Sequence, residues 1–191
     1  MSDSISNIHK LIERLGNLLR ADVRNTCSHY GIRPAQLEVL NYLARCNRYS
    51  DTPLAVTEYL GLTKGTVSQT LKILEEKGLL RKQHDTNDKR LVHLKPSARG
   101  RRLVERLVPS EALTTGINQL PLNQQQAIEK NLETLLRSMQ KSNGLKTFAP
   151  CHSCRFNRKQ GGQYFCELTQ EPLSNHDITL LCREHQYYSA K

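Results

Sequence analysis

The chain has 191 residues, enough for one ordinary domain and a small appendage that can bury a core without covalent help. Its formal net charge is +10 at pH 7, which favours a polyanionic partner such as nucleic acid. Charges interrupt the first turns, and no apolar run approaches the roughly 18 residues of a membrane span. We therefore expect a cytoplasmic protein with no membrane partner.

The excess positive charge is concentrated between Lys64 and Arg106, where basic residues clearly outnumber acidic ones. The sequence contains no phosphate-binding loop, no nucleophile elbow and no H-E-x-x-H pair. These observations argue for a binding protein and against an enzyme.

The first segments have helical periodicity. Apolar residues recur at spacings of three and four from Ile5 to Leu19, which predicts an amphipathic helix to about Cys27. Pro34 suits the start of a second helix with Leu37, Leu40 and Leu43 inward. A short third helix begins after Thr52, which is a typical N-cap.

A fourth helix follows the tight turn GLT, with Thr63 as its cap and Gly78 at its end. Its apolar stripe opposes a polar, basic face. The stripe consists of Val67, Leu71 and Leu74, and the face of Lys64, Gly65, Ser68, Gln69 and Lys72. Two short helices arranged in this way predict a helix-turn-helix whose second helix enters the major groove.

Two alternating runs, Leu80 to His84 and Leu91 to Lys95, flank the turn-rich DTNDKR and predict a β-hairpin. A hairpin directly after a recognition helix is the wing of a winged helix. It would bring Lys89 or Arg90 near a phosphate or a minor groove.

Helical periodicity continues after Ser97, with interruptions predicted at Pro109 and from Thr114 to Gly116. Pro121 opens a last helix with Ile128, Leu132, Leu135 and Met139 on one face. The terminal helices carry more apolar surface than a small DNA-binding core needs. We expect a homodimer to bury it, and its two-fold symmetry matches a palindromic operator.

Four cysteines, Cys151, Cys154, Cys166 and Cys182, lie in a polar C-terminal segment with too few apolar residues for a core. Such a segment folds best around a bound ion, and the C-x-x-C pair with a separated second pair suits tetrahedral zinc. His185 is an alternative ligand to one sulfur, and an iron–sulfur cluster is an alternative to zinc. A disulfide pair and a thioredoxin-like site are less favoured in a reducing compartment.

The predicted fold is mainly α with a small β-hairpin wing: a winged helix-turn-helix with flanking dimerisation helices and a small C-terminal metal-bound module. Residues 1–140 form the DNA-binding and dimerisation domain, 141–150 a linker, and 151–191 the cysteine-rich module.

The segments TPLAVTEYLGLTKGTVSQTLKILEEKGLL, DTNDKR and LKPSARGRRL resemble the multiple antibiotic resistance regulator (MarR) family over roughly residues 30 to 105. The resemblance implies a homodimer joined by the first and last two helices, with Arg90 as the wing arginine and Asp88 orienting the wing loop. The expected DNA-contacting set is Thr63, Lys64, Gly65, Thr66, Ser68, Gln69, Lys72, Asp88, Lys89 and Arg90.

The predicted function is a sequence-specific transcriptional repressor that binds double-stranded DNA and responds to a small-molecule or redox effector. We further hypothesise that the tail transmits its metal or redox state to the last helix. The alternatives are an iron–sulfur redox-sensing regulator, a thiol or metal redox protein centred on the tail, and a non-specific DNA-bridging or RNA-binding protein.

Overall fold

The computed structural model describes residues 2–86 and 88–188, which contain seven α-helices and seven short strands. The helices are α1 Ser2–His29, α2 Pro34–Arg45, α3 Pro53–Leu60, α4 Lys64–Glu76, α5 Ala98–Leu107, α6 Glu111–Asn118 and α7 Leu122–Ser142. The strands are β1 Leu80–His84, β2 Val92–Pro96, β3 Ala149–Pro150, β4 Asn157–Gln160, β5 Gln163–Cys166, β6 Glu171–Leu173 and β7 Leu181–Cys182.

The core of the winged helix lies between α2, α4 and the β1–β2 hairpin. The predicted inward residues of α2 and α4 are all buried, as are Leu80 and Leu94 of the hairpin. Strands β1 and β2 pair antiparallel from Leu80 opposite Pro96 to His84 opposite Val92, one residue beyond the predicted β2. The mainly helical winged-helix fold is confirmed.

Side-chain caps begin three helices where the sequence predicts them. The hydroxyl of Thr52 accepts from the Ala55 amide, that of Thr63 from the Thr66 amide, and that of Ser97 from the Gly100 amide. Each cap satisfies one of the amide groups that a helix leaves without an internal partner.

The predicted break between Thr114 and Gly116 is wrong, because α6 continues through these residues. The helix is tied to α1, where a carboxylate oxygen of Asp22 accepts the Ala112 amide at 3.3 Å. Tertiary contacts of this kind override the weak local preferences of threonine and glycine.

Helices α1 and α7 leave rows of large apolar side chains exposed on the single chain. These are Ile5, Ile8, Leu11, Ile12, Leu15 and Leu18 on α1, and Leu122, Ile128, Leu132, Leu136 and Met139 on α7. Apolar surface on this scale marks an interaction face rather than ordinary solvent-exposed surface. In the described part of the chain, no helix is both long and apolar enough to cross a membrane.

The tail folds into two small antiparallel sheets, β3 with β7 and β4 with β5 and β6. The segment predicted as a linker connects it closely to the winged helix. Phe148 is buried in the winged-helix core, where its ring packs edge-on against Tyr42 and Tyr59 at centroid distances of 6.1 and 5.2 Å. The tail therefore shares a hydrophobic core with the DNA-binding fold.

Two helical glycines, one in α5 and one in α6, provide a test of how tightly α5 packs against the segment that leads into the hairpin. A Cβ on Gly100 would lie 2.3 Å from the Leu79 carbonyl oxygen, whereas a Cβ on Gly116 would meet nothing within 4 Å. We expect Gly100→Ala to lower the free energy of unfolding by about 1–3 kcal/mol. Gly116→Ala should raise it by about 0.5–1 kcal/mol.

Urea denaturation at one fixed protein concentration measures both variants, since any self-association would make stability concentration-dependent. Equal midpoints for the two variants would contradict this account of the α5 contact.

Candidate DNA interface and cysteine cluster

Helix α4 presents the face that the sequence predicts. Thr63, Lys64, Gly65, Thr66, Ser68, Gln69 and Lys72 are all exposed, while Val67 and Leu71 on the opposite side are buried. The segment from Lys64 to Leu74 contains no acidic residue. The two acids that follow are each near a lysine, Glu75 at 2.7 Å from Lys82 and Glu76 at 3.9 Å from Lys72. The exposed face is therefore polar and cationic.

The wing loop holds Asp88, Lys89 and Arg90 on the surface. Asp88 Oδ1 accepts from the Arg90 backbone amide at 3.0 Å and from Arg90 Nε at 3.1 Å. These hydrogen bonds lower the pKa of Asp88. The Arg90 side chain nevertheless stays 92 % exposed, so the ion pair orients the guanidinium without burying it. Both predicted roles of Asp88 and Arg90, ion pair and outward-facing cation, are geometrically compatible.

The base of the wing is attached to Asp51, which is only 2 % exposed. One Asp51 carboxylate oxygen lies 2.5 Å from His93 Nδ1, the other pairs with Lys95 Nζ, and the Asp51 carbonyl accepts the Leu94 amide at 2.7 Å. His93 Nε2 also lies 3.2 Å from an oxygen of Asp85. The hydrogen bond with Asp51 raises the pKa of His93, since two carboxylates favour the doubly protonated imidazolium ring.

All four predicted cysteine ligands line one small cavity of about 30 Å³ in the tail. Its wall also contains Asn47 and Tyr49 of the winged helix. Asn157 lies on the same wall, and its buried side-chain oxygen has no hydrogen-bond partner among the described residues.

The thiols of Cys151 and Cys182 share a hydrogen bond, which raises the pKa of Cys151 and lowers that of Cys182. Asn47 Nδ2 donates to Cys151 Sγ at 3.4 Å, from 104 residues earlier in the chain. All six cysteines are free thiols. In residues 2–86 and 88–188, no three His, Cys, Asp or Glu side chains converge tightly enough to form a metal site as they stand.

The alternative ligand, His185, lies outside the cavity wall that the described residues form. Its Nδ1 is 2.6 Å from Thr147 Oγ1 and its Nε2 is 3.0 Å from Ser153 Oγ. Both ring nitrogens are therefore occupied by hydroxyl groups, and burial lowers the pKa of His185 to about 4. The four cysteines therefore line one cavity whose described wall does not include this histidine, although no three of these side chains converge as a metal site in the described residues.

The sequence patterns did not predict the burial of the polar residues between the DNA interface and the cysteine cluster. The polar run NRYSDT looks like a solvated loop, yet Asn47, Ser50 and Asp51 are each at most 2 % exposed. We define residues 46–51 as the α2–α3 loop. The only sequence signal for its burial is that it separates two helices that carry strong apolar stripes.

A second cavity, of about 410 Å³, lies between α1, α2 and the α5–α6 connection. Its wall combines apolar side chains such as Leu37 and Leu107 with Arg20, Arg24 and Glu38. This volume is typical of small-molecule sites in proteins.

Comparisons with known proteins agree with this geometry. Residues 30–91 match the sequence model of the MarR family. The structure of a Staphylococcus aureus MepR–DNA complex is 25 % identical, with a TM-score of 0.57, and the alignment covers 69 % of this chain and 96 % of that one. No curated protein has a significant match to this chain.

Two further structures share the fold at lower identity. A MarR transcriptional regulator from Methanosarcina mazei Go1 is 22 % identical, with a TM-score of 0.62 and coverage of 71 % and 98 %. CouR from Rhodococcus jostii RHA1, bound to p-coumaroyl-CoA, is 20 % identical, with a TM-score of 0.55 and coverage of 67 % and 90 %. About three tenths of this chain has no counterpart in these structures.

MarR-family proteins are DNA-binding transcription regulators and not enzymes. The helix-turn-helix, the wing and the helices around them therefore have the fold of MarR-family winged-helix regulators.

Proposed function

We propose that the chain is a cytoplasmic transcriptional repressor that binds a palindromic operator in double-stranded DNA as a homodimer. The observation that carries this proposal is the exposed polar face of α4, which has no acidic residue from Lys64 to Leu74, beside a wing whose Arg90 points into solvent. A helix of this kind reads base edges in the major groove, while a wing cation contacts phosphate or the minor groove.

The dimer is inferred from the exposed apolar rows on α1 and α7. Two copies that pair these helices would remove the rows from water and place the two α4 helices in symmetric positions. A two-fold arrangement also explains why a palindromic site is expected.

Replacing Leu132, 56 % exposed on α7, by glutamate should therefore shift the protein from dimer to monomer. A charge at the centre of an apolar interface is costly to bury. Sedimentation velocity measures the change at a concentration where the parent chain is dimeric. Leu54→Glu is the matched control, since Leu54 is 47 % exposed on α3, outside these rows. Equal sedimentation of both variants would contradict the interface.

The DNA interface is tested with a duplex selected by the full-length protein from a random pool. Arg90→Ala should weaken binding by about 1–3 kcal/mol, or about five- to 150-fold, because it removes one DNA contact. Arg158→Ala is the control, since Arg158 is also an exposed arginine paired with an acid but lies in the tail.

Fluorescence anisotropy at fixed salt, with selected and random duplexes compared, gives both affinities. An Arg90→Ala variant that binds as tightly as the Arg158→Ala variant would remove the wing from the interface. Equal affinity for selected and random duplexes would favour the non-specific DNA-binding alternative.

The second part of the proposal is that the tail binds one zinc ion through Cys151, Cys154, Cys166 and Cys182. Two observations support it: the four thiols line one cavity wall, and the occupied nitrogens of His185 leave sulfur as the donor set. Four thiolates match the preference of zinc for tetrahedral sulfur ligation.

Protein purified without oxygen should contain one zinc per chain and have no visible absorption. Cys166→Ser should lose most of the metal, and Cys27→Ser, in the winged-helix core, should keep it. Elemental analysis and an absorption spectrum make the measurement. Iron with sulfide and a brown chromophore would contradict zinc and favour the redox-sensing alternative.

The cavity between α1, α2 and α5 is the proposed position for a small-molecule effector. An apolar wall with two arginines suits an amphipathic anion. Such an effector releases DNA only as far as it binds the DNA-incompetent arrangement more tightly.

A further inference from the structure

We propose that the α2–α3 loop couples the cysteine cluster to the wing, so that zinc binding in the tail raises the affinity of the wing for DNA. This inference rests on the proposed function and names how the same DNA site is regulated. It differs from coupling through α7, because the continuous contacts run through residues of the α2–α3 loop.

The first step is the contact between the cysteine cluster and the loop. Asn47 Nδ2 donates to Cys151 Sγ at 3.4 Å, and the Asn47 backbone amide donates to the Leu181 carbonyl at 2.9 Å. Arg183 donates its backbone amide to Ser50 Oγ at 2.8 Å. The loop thus touches the chain on both sides of the cluster, at Cys151 and beside Cys182.

The surface side of the loop is also attached to the tail. Arg48 lies 2.7 Å from a carboxylate oxygen of Glu171 and 3.7 Å from one of Asp177, and the Tyr49 hydroxyl donates to Glu171. These pairs are exposed and individually weak. Together with the buried contacts, they make the position of the loop depend on a folded tail.

The second step leads from the loop to the base of the wing. Asn47 Oδ1 accepts from Ser50 Oγ at 2.7 Å, and the next residue is Asp51. Asp51 holds His93, Lys95 and the Leu94 amide of β2. A buried carboxylate with charged partners tolerates little displacement, since a separated partner leaves a charge unpaired.

The third step leads from the base of the wing to its tip. His93 Nε2 contacts Asp85, Asp85 Oδ1 accepts the Asp88 amide at 2.8 Å, and Asp88 orients Arg90. Hydrogen bonds and one peptide linkage therefore connect Cys151 to the exposed arginine without a break. Coupling further requires that zinc and DNA both bias the orientation of the wing, which is what the experiment below measures.

Bound zinc would fix the tail, whose own apolar cluster within residues 151–188 is small and consists of Cys151, Leu173 and Cys182 with a few partly buried neighbours. A fixed tail holds the loop, and the loop holds the wing in one orientation. Pre-organisation of a binding element raises affinity because less freedom is lost on binding. By linkage, DNA must tighten zinc binding by the same factor.

The test compares zinc-loaded and zinc-free full-length protein on the selected duplex. We expect zinc removal to weaken DNA binding by about five- to 150-fold, the usual range of coupling between two sites. His93→Phe keeps a ring but removes both nitrogen contacts. In this variant, zinc removal should leave the DNA affinity almost unchanged. His84→Phe is the matched control on β1, because the His84 ring hydrogen-bonds the Lys89 carbonyl and is not used in the path from Asp51 to Arg90.

A second measurement needs no DNA. Hydrogen exchange of the amides in residues 80–96 should become faster when zinc is removed from the parent chain and from His84→Phe, but should not depend on zinc in His93→Phe. Zinc affinity, from competition with a chromophoric chelator, verifies that each variant keeps a folded tail. If His93→Phe fails this check, Asp85→Asn interrupts the next link instead.

The outcomes separate the proposals. The coupling would be overturned if zinc changed neither the amide exchange of the wing nor the DNA affinity. It would also be overturned if the zinc effect persisted in a folded His93→Phe variant. Either result would leave the DNA-binding proposal intact. Failure to bind zinc would overturn the metal site and the coupling together. A pool that yields no preferred sequence would contradict the proposed function before zinc is varied, and the coupling with it.

Discussion

The buried carboxylate of Asp51 is the constraint on which the arrangement of this protein depends. It lies between two parts of the molecule that are distant in sequence, with the wing on one side and the cysteine-rich tail beyond Ser50 on the other. A carboxylate that is 2 % exposed is tolerated only with charged or hydrogen-bonded partners. His93 and Lys95 supply them, and in doing so fix the second strand of the wing against the start of α3.

The charge of the proposed DNA-binding surface, formed by the exposed face of α4 and the wing loop, depends on where the acidic residues lie. Within α4 they are confined to its C-terminal end, and in the wing Asp85 and Asp88 are engaged by His93 and Arg90. Acidic residues close to a polyanion repel it unless their charge is compensated. Here each of these acids has a basic partner, and the exposed Lys64 and Lys89 add positive charge to the surface.

The sequence was sufficient for the elements whose signals are local. Val67, Leu71 and Leu74 recur at helical spacing, and Thr63 is a cap by residue type, so α4 and its exposed face could be derived without a structure. The spacing of the four cysteines predicts one shared site; the four line one cavity, without converging as a metal site in the described residues. The identity of a bound metal cannot follow from spacing alone, because sulfur ligands serve both zinc and iron.

Other features depend on partners far along the chain. Asn47 is buried only because Leu181 and Cys151 reach it, and Asp51 only because β2 returns to it. Local periodicity assigns both residues to solvent, since polar residues are usually exposed. The continuation of α6 through Thr114 and Gly116 has the same origin, because a contact with α1 outweighs local propensity.

The position of Phe148 has a consequence for how such a tail is acquired. Phe148 lies three residues before Cys151, the first cysteine of the tail, and has a backbone φ of 42°. Its ring packs in the core beside Tyr42 and Tyr59. A left-handed conformation is unfavourable for a bulky residue and is maintained only by its surroundings. The cysteine segment therefore could not be transferred to another protein without these surroundings. Another winged-helix protein could accommodate this segment only if its core contained an aromatic pocket for the phenylalanine and its α2–α3 loop fitted the surface of the segment.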